Sequence, residues 1–276
     1  MQEQLWNIVS AVRTQSPLVH NITNYVVMNN TANALLAAGA SPVMAHAHPE
    51  VKDMVSIAGA LVVNIGTLDE YWVESMRLAA QQAHILHKPW ILDPVGAGAT
   101  PYRDQVLEEL LTFKPTVIRG NASEIMALAK TASQTKGVDS THQSQEAQEV
   151  ALHLSASTGA VLCISGATDI VVSPGKSSTL SNGHPLMAKV TGMGCTASAL
   201  TGACCAAHPQ DPFTATLAAM ALMGVAGEIA AERAAGPGTL QLHFLDTLHQ
   251  LTEEEFSSRL KIGESLPEGR KDKALI

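Results

Sequence analysis

Lys189-Val-Thr-Gly-Met-Gly-Cys-Thr-Ala-Ser-Ala-Leu200 reads as a tight glycine turn that opens directly into an alanine-rich helix. Gly192 and Gly194 permit backbone angles that a β-carbon forbids, and they let another molecule approach the main chain. The first N–H groups of a helix lack partners, and its N-terminus carries roughly half a positive charge, so the turn suits a phosphate. Cys195 stands at the mouth of that helix, where a thiol is expected to become more acidic than its free value of about 8.5. Together these features describe a phosphate cradle with a proton acceptor in it, the core of a small-molecule kinase.

Other readings compete for the same stretch. It matches G-x-G-x-x-A, but the dinucleotide fingerprint follows a buried strand and has an acid about 20 positions on. Here the approach, Ser181-Asn-Gly-His, is polar, and the region around Leu217 looks helical. The lysine of a G-x-x-x-x-G-K-[ST] loop is absent. A plain turn beside an inert buried cysteine fits the stretch taken alone as well as a phosphate cradle does, and the other motifs tip the balance.

Working outward, short apolar runs alternate with helical spacing. Strands are predicted at Pro17-Leu-Val-His-Asn, Ser41-Pro-Val-Met-Ala, Leu61-Val-Val-Asn-Ile, Pro89-Trp-Ile-Leu-Asp93 and Thr116-Val-Ile-Arg119. Helices are predicted over 25–38, from a capping box at Thr67-Leu-Asp-Glu70, from about Tyr102, and up to about Ser157. The polar, aperiodic run 130–145 reads as a surface loop. Ala160-Val-Leu-Cys-Ile164, Asp169-Ile-Val-Val172 and Ser178-Thr-Leu180, separated by short turns, read as a small antiparallel edge. The last third is helical, and 263–276 reads as a loose end. The expected fold is therefore α/β: a central, mostly parallel sheet with helices on both faces and a small antiparallel edge, in one domain spanning 1–276.

Composition narrows the function. Of 276 residues, 46 % are hydrophobic and 15 % charged, with a net charge of −8, which argues for a globular chain and against nucleic-acid binding. The four cysteines do not form a disulfide framework, and Cys204 and Cys205 are adjacent, which points to reduced thiols in a cytoplasm. The N-terminus lacks a signal-peptide pattern, and the apolar stretch 213–231 carries Glu228 and suits a buried helix better than a membrane span.

Ligands of such sheets bind beyond the carboxyl ends of the strands, where His20-Asn21, Met44, Asn64-Ile-Gly66, Asp93, Arg119-Gly-Asn121 and Ser165-Gly166 fall. Asn121-Ala-Ser-Glu124 has the spacing of a capping box, and Glu124 is equally placed to hold Mg2+ near a phosphate. Asp93 either organises its glycine turn or supplies a second acid facing the metal. Arg119 at a strand end suits a phosphate, which it can grip with two hydrogen bonds. His46-Ala-His48 has no third metal ligand in spacing and reads as loop, and Met44 alone reads as core. A cysteine nucleophile at Cys195, with His20 or His46 as partner, is the opposing enzyme class, and a non-catalytic binding module is a third.

Taken together, His20-Asn-Ile-Thr-Asn24, Gly39-Ala-Ser-Pro-Val-Met-Ala45, Asn64-Ile-Gly-Thr-Leu68, Asp93-Pro-Val-Gly-Ala-Gly-Ala-Thr100, Arg119-Gly-Asn-Ala-Ser-Glu124 and Thr191-Gly-Met-Gly-Cys195 resemble hydroxyethylthiazole kinase, of the ribokinase-like superfamily. The resemblance spans roughly residues 17–240. It implies ATP-dependent phosphorylation of the hydroxyl of 4-methyl-5-(2-hydroxyethyl)thiazole in thiamine salvage, with Mg2+, by a homotrimer with active sites at subunit boundaries. By position, Met44 and Gly192 match thiazole contacts, with Asn21 nearby. Arg119 and Ser165 match ATP contacts, Gly194 belongs to the phosphate loop, and Cys195 takes the place of the catalytic base. Two departures stand out. The family often has Thr at the position of Ser165, and wider relatives have Asp at that of Cys195. A sister kinase of hydroxymethylpyrimidine is the nearest alternative by fold.

Overall fold

Apolar runs of four or five residues become strands because both of their faces are covered. Val19, Leu61, Val62, Val63, Ile91, Leu92, Val117 and Ile118 are all essentially inaccessible. The structure is a computed structural model describing residues 1–133 and 143–264. Parallel strands β1 (Leu18–Ile22), β2 (Ser41–Val43), β3 (Ala60–Asn64), β4 (Trp90–Asp93), β5 (Val117–Asn121) and β6 (Val161–Ser165) are followed by antiparallel β7 (Asp169–Ser173), β8 (Lys176–Leu180) and β9 (Ile262–Glu264). The order across the sheet is β2-β1-β3-β4-β5-β6-β7-β8-β9. The mostly parallel sheet and its antiparallel edge match the sequence reading.

Helices α1 (Gln2–Gln15), α2 (Met28–Ala38), α8 (Met193–Ala207), α9 (Pro212–Arg233), α10 (Pro237–Gln250) and α11 (Glu253–Arg259) build one core. Helices α3 (Val51–Ile57), α4 (Glu70–Ile85), α5 (Pro101–Leu111), α6 (Ala122–Ser133) and α7 (Gln143–Thr158) build the core on the other face. Helix α8 is rich in Ala, Cys, Gly and Thr because it lies on β1, β3 and β4 under α9. A β-carbon on Gly202 would stand 2.6 Å from Val62 Cγ2 and 3.1 Å from Val19 Cγ1. Helix α9 is long and apolar enough to cross a membrane, but 94 % of its most apolar window is buried inside the fold.

Some expectations needed correction. Helix α2 starts at Met28 rather than residue 25, because Val26 N–H donates to Asn24 Oδ1 (3.1 Å) and the turn occupies the intervening residues. Asp69, not Thr67, caps α4 by accepting from Trp72 N–H (2.9 Å), while Thr67 Oγ1 accepts from Tyr25 N–H. Helices α6 and α7 reach into the expected loop at 130–145, leaving 134–142 outside the described residues. The expected loose end begins instead as β9, which pairs with β8; residues 265–276 lie outside the described residues.

Candidate active site

The site is built on the C-terminal ends of β1, β3, β4, β5 and β6, faced by the N-terminus of α8. Gly192 is the N-cap of α8 with φ of +82°, a conformation that glycine adopts freely, and a β-carbon there would stand 2.6 Å from Val27 Cγ1. Thr196 N–H makes the first intrahelical bond, to Gly192 O (2.8 Å). The amides of Met193, Gly194 and Cys195 are thus left for a ligand.

Arg119 reaches this helix end from β5. A β-carbon on Gly194 would stand 2.9 Å from Arg119 Nη1. Arg119 Nη2 donates to Ser165 Oγ (2.6 Å), and Ser165 Oγ donates to Gly120 O (3.2 Å). Arg119 Nε is buried without a partner, a donor whose desolvation an anion would offset. Arg119, Ser165 and Gly194 line a cavity of about 590 Å³ together with Asp169, His184, Met187, Met220 and Met223. That volume lies within the range of small-ligand sites. Its polar end holds the guanidinium and the helix N-terminus, and its methionines form an apolar wall.

A second cluster adjoins it through Cys195. Burial pushes the Cys195 thiol up to about 11, with the negative charge of Asp93 adding to the effect. The expected acidification is overturned: desolvation and a carboxylate outweigh the helix end. Asn24 Nδ2 donates to Cys195 Sγ (3.5 Å) and to Asn64 Oδ1 (2.8 Å). Asn64 Nδ2 donates to Asp93 Oδ2 (2.6 Å), which also accepts from Ser198 Oγ (2.8 Å). Burial raises the Asp93 carboxyl to about 6, against the pull of Arg119 and these donors. Among the described residues no hydrogen bond reaches Asp93 Oδ1.

Glu124 has the capping geometry that its spacing indicated. Its Oε2 accepts from Asn121 N–H (2.9 Å), while Asn121 Oδ1 accepts from Glu124 N–H (3.0 Å). Oε1 accepts from Gly96 N–H (3.1 Å), so the side chain also ties the glycine turn after β4 to α6. Among the described residues no three His, Cys, Asp or Glu side chains gather as a metal cage. Two carboxylates completed by phosphate oxygens are what Mg2+ commonly takes.

Asn21 is buried, with Nδ2 donating to Val19 O (3.0 Å) and Oδ1 left without a partner. Met44 follows β2, one step beyond the last registered pair of β1 and β2, His20–Val43, and is half-buried at the outer side of the sheet. Neither lines the large cavity, and nor do Cys195, Asp93 and Glu124. His20 Nε2–H donates to Ala45 O (2.6 Å), and His46 and His48 lie against the rings of Trp72 and Tyr71. No hydrogen bond connects a histidine to Cys195 among the described residues.

Sequence reasoning missed Asn24, Ser198 and Asp169 as parts of the site. Asp169 is buried at the cavity, where Gly166 N–H donates to its Oδ1 (3.0 Å). The only signal for these residues was position: Ser198 follows Cys195 by three residues and so shares its helix face. Arg103 was also missed. It donates to Val95 O (2.8 Å) and Gly66 O (2.9 Å), fastening together the loops after β3 and β4.

Comparison with known proteins places this geometry. The hydroxyethylthiazole kinase family model matches residues 9–254. The chain belongs to the hydroxyethylthiazole kinase family. It is 57 % identical to the hydroxyethylthiazole kinase of Syntrophus aciditrophicus over 262 residues, 94 % of this chain and 97 % of that one. The structure of the hydroxyethylthiazole kinase protein from Pyrococcus horikoshii OT3 superposes with a TM-score of 0.89 at 40 % identity, covering 96 % of this chain and all of that one. A ribokinase-like superfamily protein from Enterococcus faecalis V583, at 14 % identity and a TM-score of 0.65, shares the fold. A hydroxyethylthiazole kinase family member is a phosphotransferase, so the chain is a kinase, and neither a cysteine hydrolase nor a pyrimidine kinase is favoured.

Proposed function

We propose that this kinase transfers the γ-phosphoryl group of ATP to the hydroxyl of 4-methyl-5-(2-hydroxyethyl)thiazole, a step of thiamine salvage. One observation carries the assignment to phosphoryl transfer. The unpartnered amides of α8 and the buried, half-satisfied guanidinium of Arg119 converge at one end of a nucleotide-sized cavity. In this reading Gly194 and its neighbouring amides, with Arg119, hold the charge that develops on the migrating phosphoryl group. Ser165 orients Arg119, and the methionine wall faces the base.

Glu124 and Asp93 Oδ1 are the groups that would hold Mg2+. When bound, the cation neutralises charge on the β- and γ-phosphate oxygens. The acceptor alcohol lies beside Cys195, between Gly192, Met44 and Asn21, whose free Oδ1 supports a ligand donor there. With its proton retained at neutral pH, the thiol aims the hydroxyl oxygen at phosphorus. The new O–P bond forms as the bond to the β-phosphate oxygen breaks. The hydroxyl proton leaves late, to an oxygen of the transferred group.

The same reading includes a homotrimer with Met44 near a subunit boundary. Tyr25 and Val26, beside the site, are 59 % and 61 % exposed, which supports a covering partner copy. Four free cysteines support a reducing, cytoplasmic setting. The test is ADP release from Mg-ATP with the thiazole alcohol, with the pyrimidine alcohol, and with neither, alongside the mass in solution by light scattering. Release that ignores the thiazole alcohol overturns the substrate, and a monomeric mass overturns the trimer.

A further inference from the structure

Asn24 and Asn64 join the two reactive ends of the site through bonds whose direction is fixed. Val26 N–H donates to Asn24 Oδ1 (3.1 Å), so Asn24 must turn its NH2 toward Cys195 and Asn64. Gly66 N–H donates to Asn64 Oδ1 (2.9 Å), so Asn64 must turn its NH2 toward Asp93. Two backbone amides therefore decide the orientation of both side chains, which would otherwise be ambiguous. The result is a one-way chain of donors: one amide into the thiol sulfur, the other into the carboxylate.

The chain closes on itself. It starts at Cys195 on α8, crosses the ends of β1, β3 and β4, and returns to α8 through Ser198, which donates to Asp93 Oδ2 (2.8 Å). Ser198 lies one turn below Cys195 on the same helix. Asn24, Asn64, Asp93 and Ser198 are all buried, so the bonds among these four are shielded from bulk water. In that environment the bonds are strong and their loss is felt by the whole network.

We propose that Asn24 and Asn64 are positioning residues for phosphoryl transfer, holding the Cys195 sulfur and the Asp93 carboxylate in one register against the strand ends. This rests on the kinase function proposed above. Asn24 acts through Cys195, and Asn64 couples that sulfur to the metal-side carboxylate. Neither asparagine needs to touch substrate.

A double-mutant cycle tests this with radiolabelled ATP, so that slow backgrounds remain measurable. Asn24→Asp keeps the shape and the acceptor for Val26 N–H but removes the NH2 that donates to the sulfur and to Asn64 Oδ1. In the wild-type background it is expected to lower kcat by about 10- to 100-fold, the scale of a misplaced reacting group. KM for ATP is expected to stay within about threefold, because the phosphate-binding groups are untouched. In the Cys195→Ala background the same substitution is expected to cost at least about threefold less than in wild type, since the sulfur it positions is gone and only the lost bond to Asn64 remains. Equal losses in both backgrounds, or a rise in KM for ATP in place of the kcat loss, overturn the proposal. Asn24→Ser is carried through the same cycle, and melting curves accompany each variant, so a fold defect in one does not decide the outcome. Wild-type protein without alcohol-dependent ADP release would instead overturn the kinase function itself.

Discussion

The guanidinium of Arg119 lies so close over Gly194 that a β-carbon there would come within 2.9 Å of Nη1. The third residue of the glycine turn is therefore a packing requirement as well as a proposed phosphate contact. Gly194→Ala is expected to push Arg119 from the helix end and break its bond to Ser165. A fall in kcat/KM for ATP of roughly 100-fold, with the melting temperature little changed, is the expected result in steady-state kinetics.

Cys195 is raised to about 11 by burial, so it is a protonated thiol at neutral pH. Alkylation by iodoacetamide, mapped by mass spectrometry, is expected to be slow at pH 7 and to rise by about tenfold per pH unit toward 11, as thiolate forms. Cys163, Cys204 and Cys205 are buried and stay unlabelled in the folded protein. Cys195→Ala is expected to lose less than about 100-fold in kcat, below the usual upper range for a general base, and Cys195→Asp to keep substantial activity. An absolute loss in Cys195→Ala with binding intact would show an essential thiol.

Glu124 serves as a capping residue and is proposed as a metal ligand, and one substitution separates the roles. Glu124→Gln keeps a side-chain oxygen for Asn121 N–H but loses the acceptor for Gly96 N–H, so its stability is expected to fall by about 1–2 kcal/mol. The Mg2+ concentration for half-maximal ADP release is expected to rise at least about tenfold, because a neutral amide replaces a carboxylate. An unchanged Mg2+ dependence would leave Glu124 as a cap alone.

Asp169 is raised to about 6 by burial, above the value near 3.9 of an exposed aspartate. Folding therefore favours its protonated form. The group's contribution to stability is present below about pH 4 and is lost as pH rises through 6. Asp169→Asn, which can still accept from Gly166 N–H, is expected to be more stable than wild type at pH 8 by on the order of 2 kcal/mol, with the advantage gone at pH 4. Denaturant titrations at the two pH values read the difference directly.

Asn182, which lines the cavity, donates to Arg259 O (2.8 Å) and accepts from Lys261 N–H (2.7 Å). Next to it, Glu228 Oε1 accepts from Gly183 N–H (3.0 Å) and from Lys261 Nζ (2.8 Å). Asn182→Ala is expected to raise KM for ATP about tenfold, through a loosened wall, while KM for the alcohol is unchanged. Equal changes in both would mean a general loss of folding.

The sheet was legible because its strands are short runs of buried apolar residues that say the same thing locally and globally. The glycine turn and helix α8 were legible because Gly192, Gly194 and the following alanines have few other uses. The environment of Cys195 was not. Its helix-end position suggests an acidic thiol, and only the fold reveals Asp93 and the burial that reverse this. Asn24 and Ser198 were hidden for a related reason: each gains its role from a partner forty or more residues away. Strand β9 was missed because Ile262-Gly-Glu264 is too short and polar to signal a strand, and exists only through β8.

The fastening of residues 182–183 by 259–261 has a consequence for the order in which the chain becomes competent. The parallel strands and the phosphate turn all precede residue 200, yet the wall beside them is pinned by groups added some sixty positions later. A nascent chain can thus complete its parallel strands while the cavity beside them still lacks one side and the sheet its last strand. The cavity would thus gain its last wall late in synthesis, after the parallel scaffold is in place.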